Sequence, residues 1–215
     1  MIGNLLIFGD SYSTHKEHIP EKYAFYYCDE GRSPEEPVTI MTVEKTWWWQ
    51  FIESTDAKLI RNDSWSGSTI GYTGYAGDCS KTSSFIYRYD TLIEAGFFKE
   101  NKIDTIVVFG GTNDSWSKAP LGEDMYEGWK REDLFSVKPA ICYFMSRLKK
   151  ENPESRIVFI ANCDINPEIV ESMKKATERF GVEYVELSGI TKEKGHPTPV
   201  GMKQICEQVL EQLGE

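Results

Sequence analysis

The chain has 215 residues, with 24 Lys and Arg against 34 Asp and Glu and a formal net charge of −10. That acidity, with no block of Lys or Arg, argues against a nucleic-acid partner. No run of 18 apolar residues exists to form a membrane-spanning helix, so no membrane partner is expected. The length suits one domain over residues 1–215, with enough chain for a substantial core. Met1-Ile2-Gly3-Asn4 lacks the basic flank and apolar core of a signal peptide, so a cytoplasmic location is expected unless an export signal has been removed. Cys28, Cys79, Cys142, Cys163 and Cys206 are scattered without C-x-x-C spacing and read as free thiols. With three His and no His/Cys cluster, neither a metal nor a cofactor is expected.

Leu5-Leu6-Ile7-Phe8 is a short apolar run ended by Gly9-Asp10-Ser11, which reads as a buried strand delivering polar residues at its carboxyl end. Asp10 and Ser11 suit either a helix cap or a nucleophile site. An irregular excursion over about residues 12–45 follows. It contains His15, His18 and Pro20, the aromatics Tyr23, Phe25, Tyr26 and Tyr27, and turn signals at Gly31, Pro34 and Pro37. Val38 to Val43 reads as a short strand or hairpin arm. So long a segment between a strand and a helix points to a functional loop or lid edge, with its aromatics covering core or meeting substrate.

Thr46 is a candidate N-cap for a helix through Trp47-Trp48-Trp49-Gln50-Phe51-Ile52, in which one or two Trp should face the sheet. Lys58 to Asn62 is a second strand, running into the polar loop Asn62-Asp63-Ser64-Trp65-Ser66-Gly67-Ser68-Thr69, which Gly71, Gly74 and Gly77 extend. Gly67 is either a turn glycine or a place where a backbone N–H meets a ligand. Ser80 to Glu94 carries apolar residues at helical spacing and should stop at Gly96. Asp104 to Phe109 is a β-branched strand ending in Gly110-Gly111-Thr112-Asn113-Asp114, where Asn113 is an Asx-turn residue or an amide donor. Ser115 to Arg131 is a loop with Trp116, Pro120 and Gly122. A helix over Asp133 to Lys150 takes Pro139 in or near its first turn. Arg156 to Ala161 is a strand, Pro167 to Phe180 a helix, and Val182 to Leu187 an alternating edge strand. Thr191 to Gly195 is a loop, His196-Pro197-Thr198-Pro199 follows it, and Val200 to Leu213 is the terminal helix. Strands alternating with helices imply an α/β fold, a three-layer α/β/α sandwich of flavodoxin-like type around a mostly parallel five-stranded sheet.

Taken together, the strand ends supply what acyl transfer needs. Ser11 brings a hydroxyl and His196 a base of suitable intrinsic pKa. The N–H groups of Ser11 and Gly67 and the side chain of Asn113 are the donors an oxyanion requires. Glu193, three residues before His196, is placed to orient the imidazole. His15 and His18 follow Ser11 on the same loop, whereas a base must approach from a separate element, so they read as loop imidazoles.

These residues resemble, in content and order, the motifs of the SGNH/GDSL hydrolase superfamily. Gly9-Asp10-Ser11 matches its nucleophile block, with Tyr12 where Leu is frequent. Asn62 through Gly67 to Thr69 matches the block whose Gly lends an oxyanion N–H. Gly111-Thr112-Asn113-Asp114 matches the G-x-N-D block, and Glu193-Lys194-Gly195-His196-Pro197 the D-x-x-H block, with Glu in place of Asp. The resemblance spans Leu5 to Leu213. It implies a serine esterase forming an acyl-enzyme on Ser11, acting on a small-molecule or carbohydrate ester with a short acyl group, acetyl included. It also implies that Asp10 and Asp114 are structural. Glu193 is one methylene longer than the usual Asp, which leaves open whether a backbone carbonyl orients His196 instead. Tyr12, Trp65 and Trp116 flank the blocks and are the candidate substrate-binding residues. A non-catalytic binding module and an acyltransferase on the same fold are the rival readings. No apolar lid helix is visible for long-chain lipase activity, and the oligomeric state is not legible.

Overall fold

The computed structural model describes residues 1–31 and 39–215. Its central sheet is built from β1 (Asn4–Gly9), β2 (Lys58–Ser64), β5 (Thr105–Gly110), β6 (Arg156–Ala161) and β7 (Glu183–Glu186). All neighbours are parallel, in the order β2-β1-β5-β6-β7, so β7 is an edge strand as its alternating sequence requires. The remaining strands form two small hairpins, β3 (Thr73–Gly74) with β4 (Gly77–Asp78), and β8 (Lys192–Glu193) with β9 (His196–Pro197). The helices are α1 (Trp47–Ser54), α2 (Phe85–Glu94), α3 (Phe97–Glu100), α4 (Thr112–Trp116), α5 (Val137–Glu151), α6 (Pro167–Phe180) and α7 (Pro199–Leu213).

Side chains alternate across a strand, so apolar runs must be covered on both faces. Leu6 and Phe8, with Ile106, Val108, Ile157 and Phe159, pack against Phe85, Ile86, Phe144, Met145 and Met173 from α2, α5 and α6. Leu5 and Ile7, with Val107, Phe109, Val158 and Ile160, pack against Trp47, Trp48, Phe51, Met202, Ile205 and Val209 from α1 and α7. The result is an α/β/α sandwich.

The chain leaves β1 for β2 by way of α1 on one face, then passes from β2 to β5 by way of α2 on the other. The winding direction therefore reverses between β1 and β5. That is where an open α/β sheet parts at its carboxyl edge and leaves a crevice. Ser11 lies just past β1 and Asn113 just past β5.

Several boundaries differ from the sequence expectation. The second strand continues through Ser64. The helix expected from Ser80 begins only at Phe85, because the Ser84 side chain accepts from Tyr87 N–H at 3.2 Å and caps it. Gly96, at φ 75°, ends that helix as expected. Residues 112–116 form a short helix, so the loop after it is shorter. The helix expected from Asp133 splits into a 3-10 turn over Arg131–Phe135 and α5, with Pro139 in the first turn of α5. Thr39 to Val43 is not a strand. It makes one parallel bridge, Cys28 to Ile40, before a 3-10 turn at Val43–Lys45. Pro34, Pro37 and Val38 lie outside the described residues.

Candidate active site

Ser11 opens a 3-10 turn, Ser11–Ser13, immediately after β1. The turn folds back tightly. A Cβ on Gly9 would lie 2.6 Å from Ser13 Cβ and 2.6 Å from Ser64 Oγ, so only glycine fits there. The Asp10 side chain caps the turn by accepting from Tyr12 N–H at 3.0 Å. The Ser11 N–H stands at the first turn position and has no acceptor within the turn. Ser11 is 3% exposed, so it meets solvent through a narrow opening.

His196 comes from 185 residues further along the chain, and its Nε2 lies 3.0 Å from Ser11 Oγ. Its Nδ1 lies 3.3 Å from the Lys194 carbonyl oxygen. A carbonyl can only accept, so the hydrogen belongs on Nδ1, and Nε2 accepts from the Ser11 hydroxyl. The β8–β9 hairpin holds this arrangement. Lys194 at φ 47° and Gly195 at φ 80° turn it in two residues, in the left-handed geometry tight hairpins prefer.

Aromatic residues seat the hairpin. Tyr26 stacks on the imidazole with centroids 3.6 Å apart and planes 7° from parallel. The Tyr12 hydroxyl donates to the Gly195 carbonyl at 2.5 Å and the Tyr27 hydroxyl to the Pro197 carbonyl at 2.8 Å. Burial pushes both phenol pKa values up, so both groups remain donors. Trp116 stands edge-on to the imidazole at 5.9 Å and lies against Gly195, where a Cβ would be 3.2 Å from its ring.

The donor groups converge on the same edge. Gly67, at φ 81°, has open space where a Cβ would stand, and its N–H has no acceptor among the described residues. Asn113 is 3% exposed. Its Nδ2 donates to the Ser68 carbonyl at 2.9 Å, and its Oδ1 accepts from the Tyr75 hydroxyl at 3.0 Å. Beneath them Arg88 is fully buried on α2. It pairs with Asp63 Oδ1 at 3.0 Å, donates to the Asp63 carbonyl, and reaches the Gly9 carbonyl at 3.3 Å and Ser68 Oγ at 3.2 Å.

Two carboxyls lie under the site. Burial pushes Asp10 up to about 7, against the lowering effect of the Tyr12 N–H. Burial pushes Asp114 up to about 6, although it accepts from Ile70 and Gly71 N–H groups. Both bind loop backbone, in keeping with structural roles.

The structure therefore brings together Ser11, Gly67, Asn113 and His196. Glu193 is different. It pairs across the hairpin from His196 but is exposed, and the Lys194 carbonyl holds Nδ1 in its place. Tyr12 is 0% exposed and anchors the hairpin instead of lining an open cleft. Trp65 is half-buried and packs on Tyr23 at 4.3 Å, while Trp116 is 36% exposed beside the imidazole. His15 Nε2 is bound to the Met41 carbonyl at 2.9 Å, and His18 lies among His15, Trp48 and Trp49. A cavity of about 310 Å³ lined by His15, Phe25, Cys28 and Asp29 takes in neither Ser11 nor Asn113.

Tyr26 and Tyr27, expected to cover core or meet substrate, instead seat the histidine and its hairpin, while Tyr75 and Arg88 are contributors the sequence pattern does not single out. Arg88 did leave a signal. It sits on the apolar stripe of its helix, three residues after Phe85 and four before Leu92, where a charge needs a buried partner.

The chain is similar to known proteins over nearly its whole length. The family model described as GDSL-like lipase/acylhydrolase matches residues 3–213. A protein from Bacteroides uniformis described as a GDSL-like lipase is 39% identical, with 98% of this chain and 95% of that chain covered and a TM-score of 0.88. A second so described, from Bacteroides ovatus, is 35% identical over 100% and 99% of the two chains, at a TM-score of 0.89. An acetyl xylan esterase from the rumen bacterium Butyrivibrio proteoclasticus shares the fold at 20% identity, over 98% of this chain and 62% of that one, at a TM-score of 0.62. No curated protein sequence matches the chain significantly.

Proposed function

The chain belongs to the GDSL-like lipase/acylhydrolase family, and from that premise we propose that it is a serine esterase cleaving short acyl esters through an acyl-enzyme on Ser11. The observation that carries this reading is the 3.0 Å contact of Ser11 Oγ with His196 Nε2 at the crevice edge. His196 takes the hydroxyl proton as Oγ attacks the ester carbonyl carbon. The Ser11 and Gly67 N–H groups and Asn113 Nδ2 hold the oxygen as it becomes an oxyanion. The intermediate collapses, the alkoxide leaves with the proton from His196, and the acyl group stays on Oγ. Water, deprotonated by His196, then releases the acid and restores the hydroxyl. The Lys194 carbonyl keeps the imidazole in the tautomer each step requires. Tyr26 and Trp116 crowd the imidazole, which favours a short acyl group and a substrate such as an acetylated small molecule or sugar.

The test is hydrolysis of p-nitrophenyl acetate by the wild type, Ser11→Ala and His196→Ala. Loss of one member of such a pair costs on the order of 10⁴-fold or more in kcat. Wild-type turnover no faster than either variant would turn the reading over to a binding module. Rapid acylation whose release needs an added alcohol would turn it over to an acyltransferase.

A further inference from the structure

We propose that Tyr75 is a positioning residue for the oxyanion site, its hydroxyl holding the Asn113 amide so that one Nδ2 hydrogen is presented to the ester carbonyl. This rests on the esterase reading above. An asparagine amide offers two donor hydrogens and one acceptor oxygen with two lone pairs. The Ser68 carbonyl takes one hydrogen at 2.9 Å, and the Tyr75 hydroxyl donates to Oδ1 at 3.0 Å. The second Nδ2 hydrogen has no acceptor among the described residues.

The two contacts do different things. Ser68 fixes which end of the amide is nitrogen, because a flipped amide would set Oδ1 against a carbonyl oxygen. Tyr75 pins the opposite end, so the amide plane is held at two points. A hydrogen bond into Oδ1 also polarises the amide and makes the remaining N–H a stronger donor.

The surroundings of Tyr75 suit this task. It is 58% exposed, yet its hydroxyl reaches a side chain that is 3% exposed. It stands at the two-residue tip of the β3–β4 hairpin, between Gly74 and Gly77. That hairpin is fixed at its base. Thr73 Oγ1 donates to the Phe135 carbonyl at 2.7 Å, Tyr72 N–H to the Leu134 carbonyl at 2.8 Å, and Cys79 N–H to the Tyr72 carbonyl at 2.9 Å. Partial burial, and the nearby carboxyls of Asp10 and Asp114, push the Tyr75 phenol up, so it remains a donor across neutral pH.

The experiment compares wild type, Tyr75→Phe, Asn113→Ala and the double variant on p-nitrophenyl acetate, with the Asn113 side-chain amide followed by ¹⁵N NMR in wild type and Tyr75→Phe. Losing one neutral hydrogen bond should lower kcat about three- to tenfold with KM unchanged. The Asn113 amide resonances should shift, and Tyr75→Phe should cost nothing further once Asn113 is Ala. Unchanged kcat would overturn the proposal, as would a loss confined to KM or an equal loss in the Asn113→Ala background. If the wild type is no faster than Ser11→Ala, the esterase reading itself has failed. If the wild type turns over and Tyr75→Phe matches it, only the role of Tyr75 has.

Discussion

Removing the Tyr27 hydroxyl tests whether the histidine is placed by packing far from its own position in the chain. Tyr27 is wholly buried and donates to the Pro197 carbonyl, the residue next to His196. In Tyr27→Phe the ring remains and one buried carbonyl loses its donor. Leaving such a group unpaired costs about 1–3 kcal/mol. For a chain of this size that lowers Tm by roughly 2–4 °C per kcal/mol. The catalytic loss should exceed what stability explains, because a shift of about 1 Å in a reacting group can cost on the order of 10²-fold. The assay is kcat for p-nitrophenyl acetate at 25 °C, well below the melt, beside a thermal melt of each variant. Ile157→Val is the control. It lies in the opposite core layer near the start of β6 and should cost about 0.5–1.5 kcal/mol without touching the hairpin. Tyr27→Phe should lose kcat where Ile157→Val does not. Equal kcat in the two variants would refute the idea that Tyr27 places the imidazole.

Glu193→Gln should keep kcat within about twofold of wild type, since an exposed charge is screened and weakly coupled. A loss approaching that of His196→Ala would mean the carboxylate is required after all. Asp10→Asn should flatten the pH dependence of stability. The folded carboxyl sits at about 7 against an ordinary 3.8, so between those values the folded protein holds a proton that the unfolded chain releases. Stability therefore falls as pH rises through that window. The Tm drop from pH 5 to pH 8 should be smaller in Asp10→Asn, with Asp114, raised to about 6, supplying the remainder. An identical drop in the two proteins would count against a proton on Asp10.

The central sheet was readable because each of its strands is an apolar or alternating run ended by turn residues, and both cores follow from period-two alternation. Ser11, Gly67, Asn113 and His196 were readable because each lies at the end of an element the pattern marks. The two small hairpins were not. Their strands are two residues long, too short for any periodicity to register. The Tyr27 contact joins residues 170 apart, a pairing that local pattern cannot suggest. The Lys194 carbonyl is a backbone group, which side-chain identity does not advertise, whereas the neighbouring carboxylate of Glu193 is visible in the sequence. Ser84, by contrast, is a cap residue legible in the sequence, directly before Phe85.

The guanidinium of Arg88 knots the ends of two strands to the turn beyond the second, since it reaches Gly9, Asp63 and Ser68 as well as the Ser83 carbonyl before its own helix. Two of the proposed oxyanion donors, the N–H groups of residues 11 and 67, are thus parts of one block, and lysine could not tie it because the fork needs several nitrogens at fixed angles. Retuning of substrate choice then falls to groups outside that block, such as Trp116, which is exposed beside the His196 imidazole on a separate piece of chain. Variation at Trp116 should therefore change selectivity more than it changes the placement of residues 11 and 67.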